Sequence, residues 1–207
     1  IFVSSADGGI TKRITNTPEE ERFVGFSPTG DSLIYASERD NSWKIFLTRI
    51  VRQEEPYFYA STLLKEEALI SNGHNCYQPK ISPDGKEVAY IEDRRSLKVF
   101  NIKTKQSRTL ITPDNMIYMS EGAQYFQWST DSKWILAEYS PVLSNSEVAL
   151  IRSDGNSPMT NLTRSGYNDS RPVWVNGGKQ MLWFSDRDGL RSYANSGDRQ
   201  ADVYSMF

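Results

Sequence analysis

Pro79-Lys80-Ile81-Ser82-Pro83-Asp84-Gly85-Lys86 is the stretch on which the fold turns. An apolar residue closes a short run, Pro83 presets φ for a turn, and Gly85 accepts the positive φ that follows. A second apolar burst, Val88-Ala89-Tyr90-Ile91, then begins. The phrase recurs as Val24-Gly25-Phe26-Ser27-Pro28-Thr29-Gly30-Asp31 and as Phe126-Gln127-Trp128-Ser129-Thr130-Asp131-Ser132-Lys133. A drifted copy runs Val173-Trp174-Val175-Asn176-Gly177-Gly178-Lys179. With Phe26, Ile81, Trp128 and Trp174 taken as equivalent, the spacings are 55, 47 and 46 residues. A period of roughly 40 to 50 with four strands per unit is that of a β-propeller blade. Helical solenoids of similar period are excluded, because the turn interrupts every unit.

Working outward, second strands fall at Leu33-Ile34-Tyr35-Ala36, Val88-Ala89-Tyr90-Ile91 and Trp134-Ile135-Leu136-Ala137. Third strands follow at Lys44–Leu47, Leu97–Phe100, Glu147–Leu150 and Val203–Met206, and outer strands at Glu67–Ile70, Arg108–Ile111 and Thr160–Thr163. Ile1–Ser4 and Lys12–Thr15 read as the third and fourth strands of an incomplete unit, and four first, four second, five third and four fourth strands make seventeen. The expected fold class is therefore all-β. It is a β-propeller of about four and a quarter blades of four-stranded antiparallel sheet, drawn from a larger six- or seven-bladed ring. The chain reads as one propeller domain or fragment, with units at 1–15 (partial), 20–71, 76–112, 123–163 and 170–207 (partial). The longer first spacing places an insertion around Val51 to Lys65. Tyr57 to Ile70, with Leu63, Leu64, Glu66, Glu67 and Ala68, also suits a short helix. Both ends supply a third strand, so they must lie in different blades or different molecules, and their apolar edges suggest either edge-to-edge association between copies or an open crescent of just over four blades.

Composition narrows the function. The 207 residues carry 24 Lys or Arg against 26 Asp or Glu, a net charge of −2, and a dedicated nucleic-acid binder usually shows a basic excess. Apolar residues at 38% permit a packed core, and no run is long enough for a transmembrane helix, so no membrane insertion is expected. The one cysteine, Cys76, excludes an internal disulfide and a cysteine-built zinc site. Ile1 rather than Met opens the sequence, so either a leader has been removed or the chain starts inside a longer protein.

The repeat Phe-Ser-Pro-Asp-Gly-Lys, an apolar strand and then Ser-Asp-Arg-Asp-Gly resembles the propeller repeats of the TolB and tricorn-protease type. Its carriers here are Ile81 to Tyr90, Phe26 to Arg39 and Phe184-Ser185-Asp186-Arg187-Asp188-Gly189. The tail, Trp183 to Ser192 and then Asp202 to Phe207, looks like the N-terminal propeller of tricorn-like peptidases. In that family a propeller precedes a serine-protease core, and none of its catalytic residues can be placed here. The resemblance implies a non-catalytic portion of a tricorn-like protease that guides or gates a polypeptide. The alternative is a stand-alone TolB-like interaction scaffold of the cell envelope. Either implies a polypeptide or protein partner and a periplasmic or secreted location, with a cytoplasmic one left open.

The only histidine, His74, sits in Ser71-Asn72-Gly73-His74-Asn75-Cys76-Tyr77. With Ser71 or Cys76 it echoes a nucleophile–base pair, but the segment carries no oxyanion-hole motif and reads as an ordinary loop. Asp186-Arg187-Asp188-Gly189, with Asp198 and Asp202, echoes a calcium loop that lacks its terminal bidentate Glu, so Asp186 is expected to bond its own turn. No catalytic residue, metal or cofactor is expected. Trp128, Trp134, Trp174 and Trp183 stand at core positions of the repeat. Ligand contacts are expected on the rim opposite the Ser-Pro-Asp-Gly turns, from Arg22, Arg39, Tyr77, Gln78, Arg94, Tyr125, Arg171 and Arg187. Arginine there suits peptide carbonyls and carboxylates because it donates in a fixed fork. Equally, these arginines suit salt bridges to neighbouring blades.

Overall fold

The computed structural model describes residues 1–117, 124–143, 145–190 and 200–207. Its local logic is set by the repeated turn. Ser82 N donates to Glu87 O (2.8 Å), and Gly85 N donates to Ser82 O (2.8 Å) at a φ of +73°. The Ser82 hydroxyl accepts from Glu87 N (3.0 Å) and donates to Asp84 Oδ1 (2.6 Å). Serine, aspartate and glycine thus each satisfy a different requirement of one tight connection. The turn repeats from Ser27 to Ser32 and from Ser129 to Trp134, where Ser132 takes the glycine position at φ +62°.

Seventeen strands form five sheets among the described residues. A two-stranded ladder joins β1 (Phe2–Ser4) and β2 (Thr11–Arg13). The first four-stranded sheet is β3 (Glu21–Phe26), β4 (Ser32–Arg39), β5 (Ser42–Ile50) and β6 (Leu64–Ile70). The second is β7 (Cys76–Ile81), β8 (Glu87–Glu92), β9 (Ser96–Asn101) and β10 (Ser107–Ile111). The third is β11 (Phe126–Trp128), β12 (Trp134–Val142), β13 (Asn145–Arg152) and β14 (Thr160–Asn161). The last is three-stranded, β15 (Asp169–Val175), β16 (Gln180–Ser185) and β17 (Asp202–Met206). In every sheet, strands that are neighbours in sequence are neighbours in the ladder. This is the meander of a propeller blade, and the chain is an all-β, partial β-propeller. The terminal strands β1 and β17 do lie in different sheets.

No helix forms over Tyr57–Ile70. Residues 51–63 are the insertion, and β6 begins at Leu64. The acidic pair that suits a helix is satisfied across the sheet instead: Glu66 takes both guanidinium nitrogens of Arg39 (2.6 and 2.9 Å), and Glu67 pairs with Arg49. The insertion is pinned by Phe58, which is buried with its ring edge-on to Phe26 at 6.0 Å. The outer strand β14 stops at Asn161, short of Thr163, because the Thr163 hydroxyl replaces the backbone as acceptor for Val148 N (3.1 Å).

The chain divides into two compact units, Ile1–Arg94 with Phe100–Gln106, and Arg95–Val99 with Ser107–Phe207. The first buries Ile34, Ile45, Leu47, Val88, Tyr90 and Phe100 in one cluster. The second buries Leu136, Val148, Met181 and Trp183, with Trp174 and Tyr204 against them. Each such side chain contributes roughly 1.5–3 kcal/mol on burial. Trp128 and Trp183 are buried, and Trp134 and Trp174 are half-buried. Three first strands carry a bulge at the same repeat position, where Phe23 (φ +57°), Gln78 (φ +50°) and Arg171 (φ +52°) adopt left-handed backbone. In each case two residues face one large buried aromatic on the second strand: Tyr35, Tyr90 or Trp183. The third sheet has Ala137 there, paired directly with Phe126, and its β11–β12 ladder runs without a slip.

Candidate binding site

In the second and last sheets, at the end away from the repeated turn, the loop before the first strand meets the loop after the second. In the second sheet, Asn75 N donates to Asp93 Oδ1 (2.9 Å) and Asp93 N to Asn75 O (2.8 Å). The Asn75 side chain accepts from Trp43 N of β5 (2.9 Å). The last sheet repeats the clasp 93 positions on: Asn168 N donates to Asp186 Oδ1 (3.0 Å), and Asn168 Oδ1 accepts from Ser146 N of β13 (3.3 Å). Asp186 thus receives Asn168 of another loop, through its backbone N–H and its side-chain amide. Asp198 lies outside the described residues. Nothing in the isolated sequence distinguishes Asn75 and Asn168 from ordinary loop asparagines; only the alignment of the two copies does.

Within this shared frame the carboxylate changes strand. The last sheet opens on Asp169, fully buried, which accepts from Trp183 Nε1 (2.9 Å), Arg187 Nη2 (2.9 Å) and the Ser165 hydroxyl. Burial would raise its pKa, but these donors outweigh burial and hold the carboxyl below its usual range. Arg187 also donates to Ser185 Oγ (3.0 Å) and stacks on Tyr204 at 4.7 Å. The first sheet matches, with Glu21 and Ser37 in place of Asp169 and Ser185; Arg39 lies 3.9 Å from Glu21 and 3.3 Å from Ser37 Oγ. In the second sheet Cys76 takes the place of Asp169, and Glu92 takes the place of Ser185. Glu92 is buried and accepts from Asn72 Nδ2 (2.7 Å). His74 stands beside it, with Nδ1 2.7 Å from Asp93 Oδ2. The Cys76 thiol is buried and points at Asn72 Oδ1 and the His74 carbonyl.

The expected rim residues separate into two kinds. Arg22, Tyr77 and Arg94 join Trp43 in one stack within the first unit. Arg22 lies over Trp43 at 5.7 Å, Trp43 meets Tyr77 at 5.4 Å, and Arg94 lies over Tyr77 at 5.0 Å. The arginines close both ends of an aromatic pair, and Arg22 keeps half its side chain in water. In the second unit, Arg171 lies over the exposed Tyr125 at 5.3 Å, and its N–H donates to Glu138 (3.0 Å). Burial pushes the Glu138 carboxyl up. Arg39 and Arg187 are held by Glu66 and Asp169, and Gln78 is buried at its bulge. Trp43 was absent from the expected set; it lies on β5 just before the expected third strand Lys44–Leu47 and is buried.

The repeated turns of the first two sheets share a separate cleft of about 330 Å³, lined by Pro28, Asp31, Arg49, Pro83, Asp84 and Ile102. Pro28 and Pro83 thus face the same space, and the stack lies at the far end of the strands from them.

No protein-family description matches the sequence, and no curated protein does. Among solved structures, the chain is similar in fold to TolB from Acinetobacter baumannii, with a TM-score of 0.66 at 16% identity over 98% of this chain and 45% of that one. It is similar to a TolB-type protein of Agrobacterium tumefaciens, with a TM-score of 0.57 at 20% identity over 88% of this chain and 60% of that one. It also matches the tricorn protease, with a TM-score of 0.63 at 12% identity over 91% of this chain and 18% of that one. The chain spans about half the length of the TolB structures it matches. The fold is that of a TolB- and tricorn-type propeller.

Proposed function

We propose that this chain is the polypeptide-binding propeller part of a larger assembly, with no chemistry of its own, guiding or gating a protein segment for a tricorn-like peptidase. The observation that carries this reading is the stack of Arg22, Trp43, Tyr77 and Arg94. An aromatic pair with a guanidinium at each end suits an extended chain bearing carboxylates: half-buried Tyr77, backed by buried Trp43, takes apolar and peptide groups, and the arginines take the charge. Arg171 over Tyr125 offers a smaller version of the same chemistry. The second reading, a TolB-like interaction scaffold of the cell envelope, uses the same stack and is favoured by the fold likeness to TolB. The two part on whether the natural gene product also encodes a peptidase domain.

Fluorescence anisotropy with a labelled, unstructured acidic peptide tests the binding role. Arg22→Ala and Arg94→Ala should each weaken binding about tenfold, roughly 1.4 kcal/mol, and Arg171→Ala less. Unchanged affinity in both of the first two variants would sink the proposal.

A further inference from the structure

We propose that His74, Glu92 and Asp93 form a binding site for a divalent transition-metal ion, with Zn²⁺ as the best-matched metal. Among the described residues they are the one group of three such side chains whose donor atoms all lie within 4.8 Å of one another. A tetrahedral zinc site with bonds near 2.0–2.2 Å needs donors roughly 3.3 Å apart, so the group must close by about 1.5 Å at most. The burial pattern permits that movement. Glu92 is a buried, fixed anchor, whereas His74 and Asp93 are exposed and can swing inward.

The comparison among sheets explains why the group occurs once. In the first and last sheets Ser37 and Ser185 stand on the second strand where the second sheet has Glu92, and the loop residue matching His74 in the last sheet is Tyr167. Neither serine nor tyrosine supplies what imidazole and carboxylate supply. In the second sheet the carboxylate has moved to Glu92, directly beside Asp93 and across from His74. Asn72 donates to Glu92 at 2.7 Å and orients it, the role that outer hydrogen-bond partners play around bound metals. Asp93 is oriented by Asn75 N and by its own left-handed backbone at φ +50°. One imidazole with two carboxylates suits Zn²⁺ among borderline metals. Three donors are too few for calcium, which takes six or more oxygens.

His74 is the chain's single histidine, so its ring gives one set of imidazole signals and reports the site without assignment. ZnCl₂ titrated into the 207-residue protein should shift those ring signals to saturation at one equivalent, and calorimetry should give a single site. His74→Ala and Asp93→Asn should each weaken that site more than tenfold, and Asn72→Ala about tenfold. His74 is exposed, so metal-free His74→Ala should melt like the parent. If a variant does fold poorly, the ring titration of the parent still decides. Ring signals unmoved by ten equivalents of Zn²⁺, or equal Zn²⁺ affinity in parent and His74→Ala, would overturn the proposal. So would a response to CaCl₂ in place of ZnCl₂.

Discussion

The loops around Asn75 and Asn168 are built on one plan 93 residues apart, and they end in opposite chemistry. Both use an asparagine to stitch a first strand to the neighbouring sheet, and both use an aspartate to receive that asparagine's backbone N–H. Around Asn168, a carboxylate on the first strand meets an arginine, an indole and a serine, and the loop is closed by its own internal partners. Around Asn75, a thiol replaces that carboxylate, and the acid reappears as Glu92 on the second strand beside His74. A repeat can therefore keep its backbone bonds while moving one charge by a few ångströms. That move puts a buried carboxylate beside two exposed side chains, His74 and Asp93, in place of the closed lock.

The largest expected effect comes from moving the charge back. Cys76→Asp alone puts a second carboxylate at a fully buried position near Glu92 and should destabilise by about 3 kcal/mol. Adding Glu92→Ser rebuilds the arrangement of the last sheet and should recover most of that loss, while abolishing the proposed zinc response. Urea midpoints around this double-mutant cycle measure the coupling. A double variant no more stable than Cys76→Asp would break the comparison.

Next in size, Arg187→Ala leaves the buried Asp169 without its cation and should cost about 2–3 kcal/mol, whereas Arg94→Ala removes a half-exposed cation–π contact and should cost under ~1 kcal/mol. The Asp169 carboxyl is held below its usual range, so the stabilisation is present above the ordinary carboxylate pKa and is lost as pH falls through the lowered value. The gap in melting temperature between parent and Arg187→Ala should therefore be full at neutral pH and shrink between about pH 5 and pH 2. A gap that does not depend on pH would assign the effect to packing.

The shared part of the plan predicts similar, smaller losses. Asn75→Ala and Asn168→Ala should each cost about 1–2 kcal/mol by denaturant unfolding, because each removes an inter-sheet acceptor for a backbone N–H. The smallest effect is a gain. Ser132 holds the left-handed position that Gly30 and Gly85 hold in the other turns, so Ser132→Gly should stabilise by about 0.5 kcal/mol. A loss on thermal melting would mean that the serine side chain contributes more than its backbone strain costs.

The blade repeat was legible because Ser82, Pro83, Asp84 and Gly85 do their work within six residues, where residue type alone specifies the turn. The bulges at Phe23, Gln78 and Arg171 were not legible. They share a backbone conformation and no chemistry, and their cause lies across the ladder in Tyr35, Tyr90 and Trp183. The rim arginines were visible as a class, but sequence could not sort them, since Arg39 and Arg187 find carboxylates contributed by other strands. Trp43, buried at the start of β5, joins the stack without a sequence signal, because its neighbours Arg22 and Tyr77 come from other strands. His74 reads as a loop residue for the same reason that Asn75 does: their shared partner Asp93 is nineteen and eighteen positions away and is brought back only by the β7–β8 hairpin.

The meander order of every sheet has a kinetic consequence. Apart from residues 51–63 before β6 and 186–201 before β17, the ladders pair strands joined by a short connection, so ordering those hairpins requires closing loops of a few residues rather than a search along the whole chain. Residues 51–63 are the exception in the first sheet: β5 and β6 can pair only after thirteen residues have been looped out. Phe58, by docking against Phe26, shortens the effective closure. Hydrogen-exchange pulse labelling during refolding should find the β7–β8 hairpin protected before β6, with Phe58→Ala delaying β6 alone.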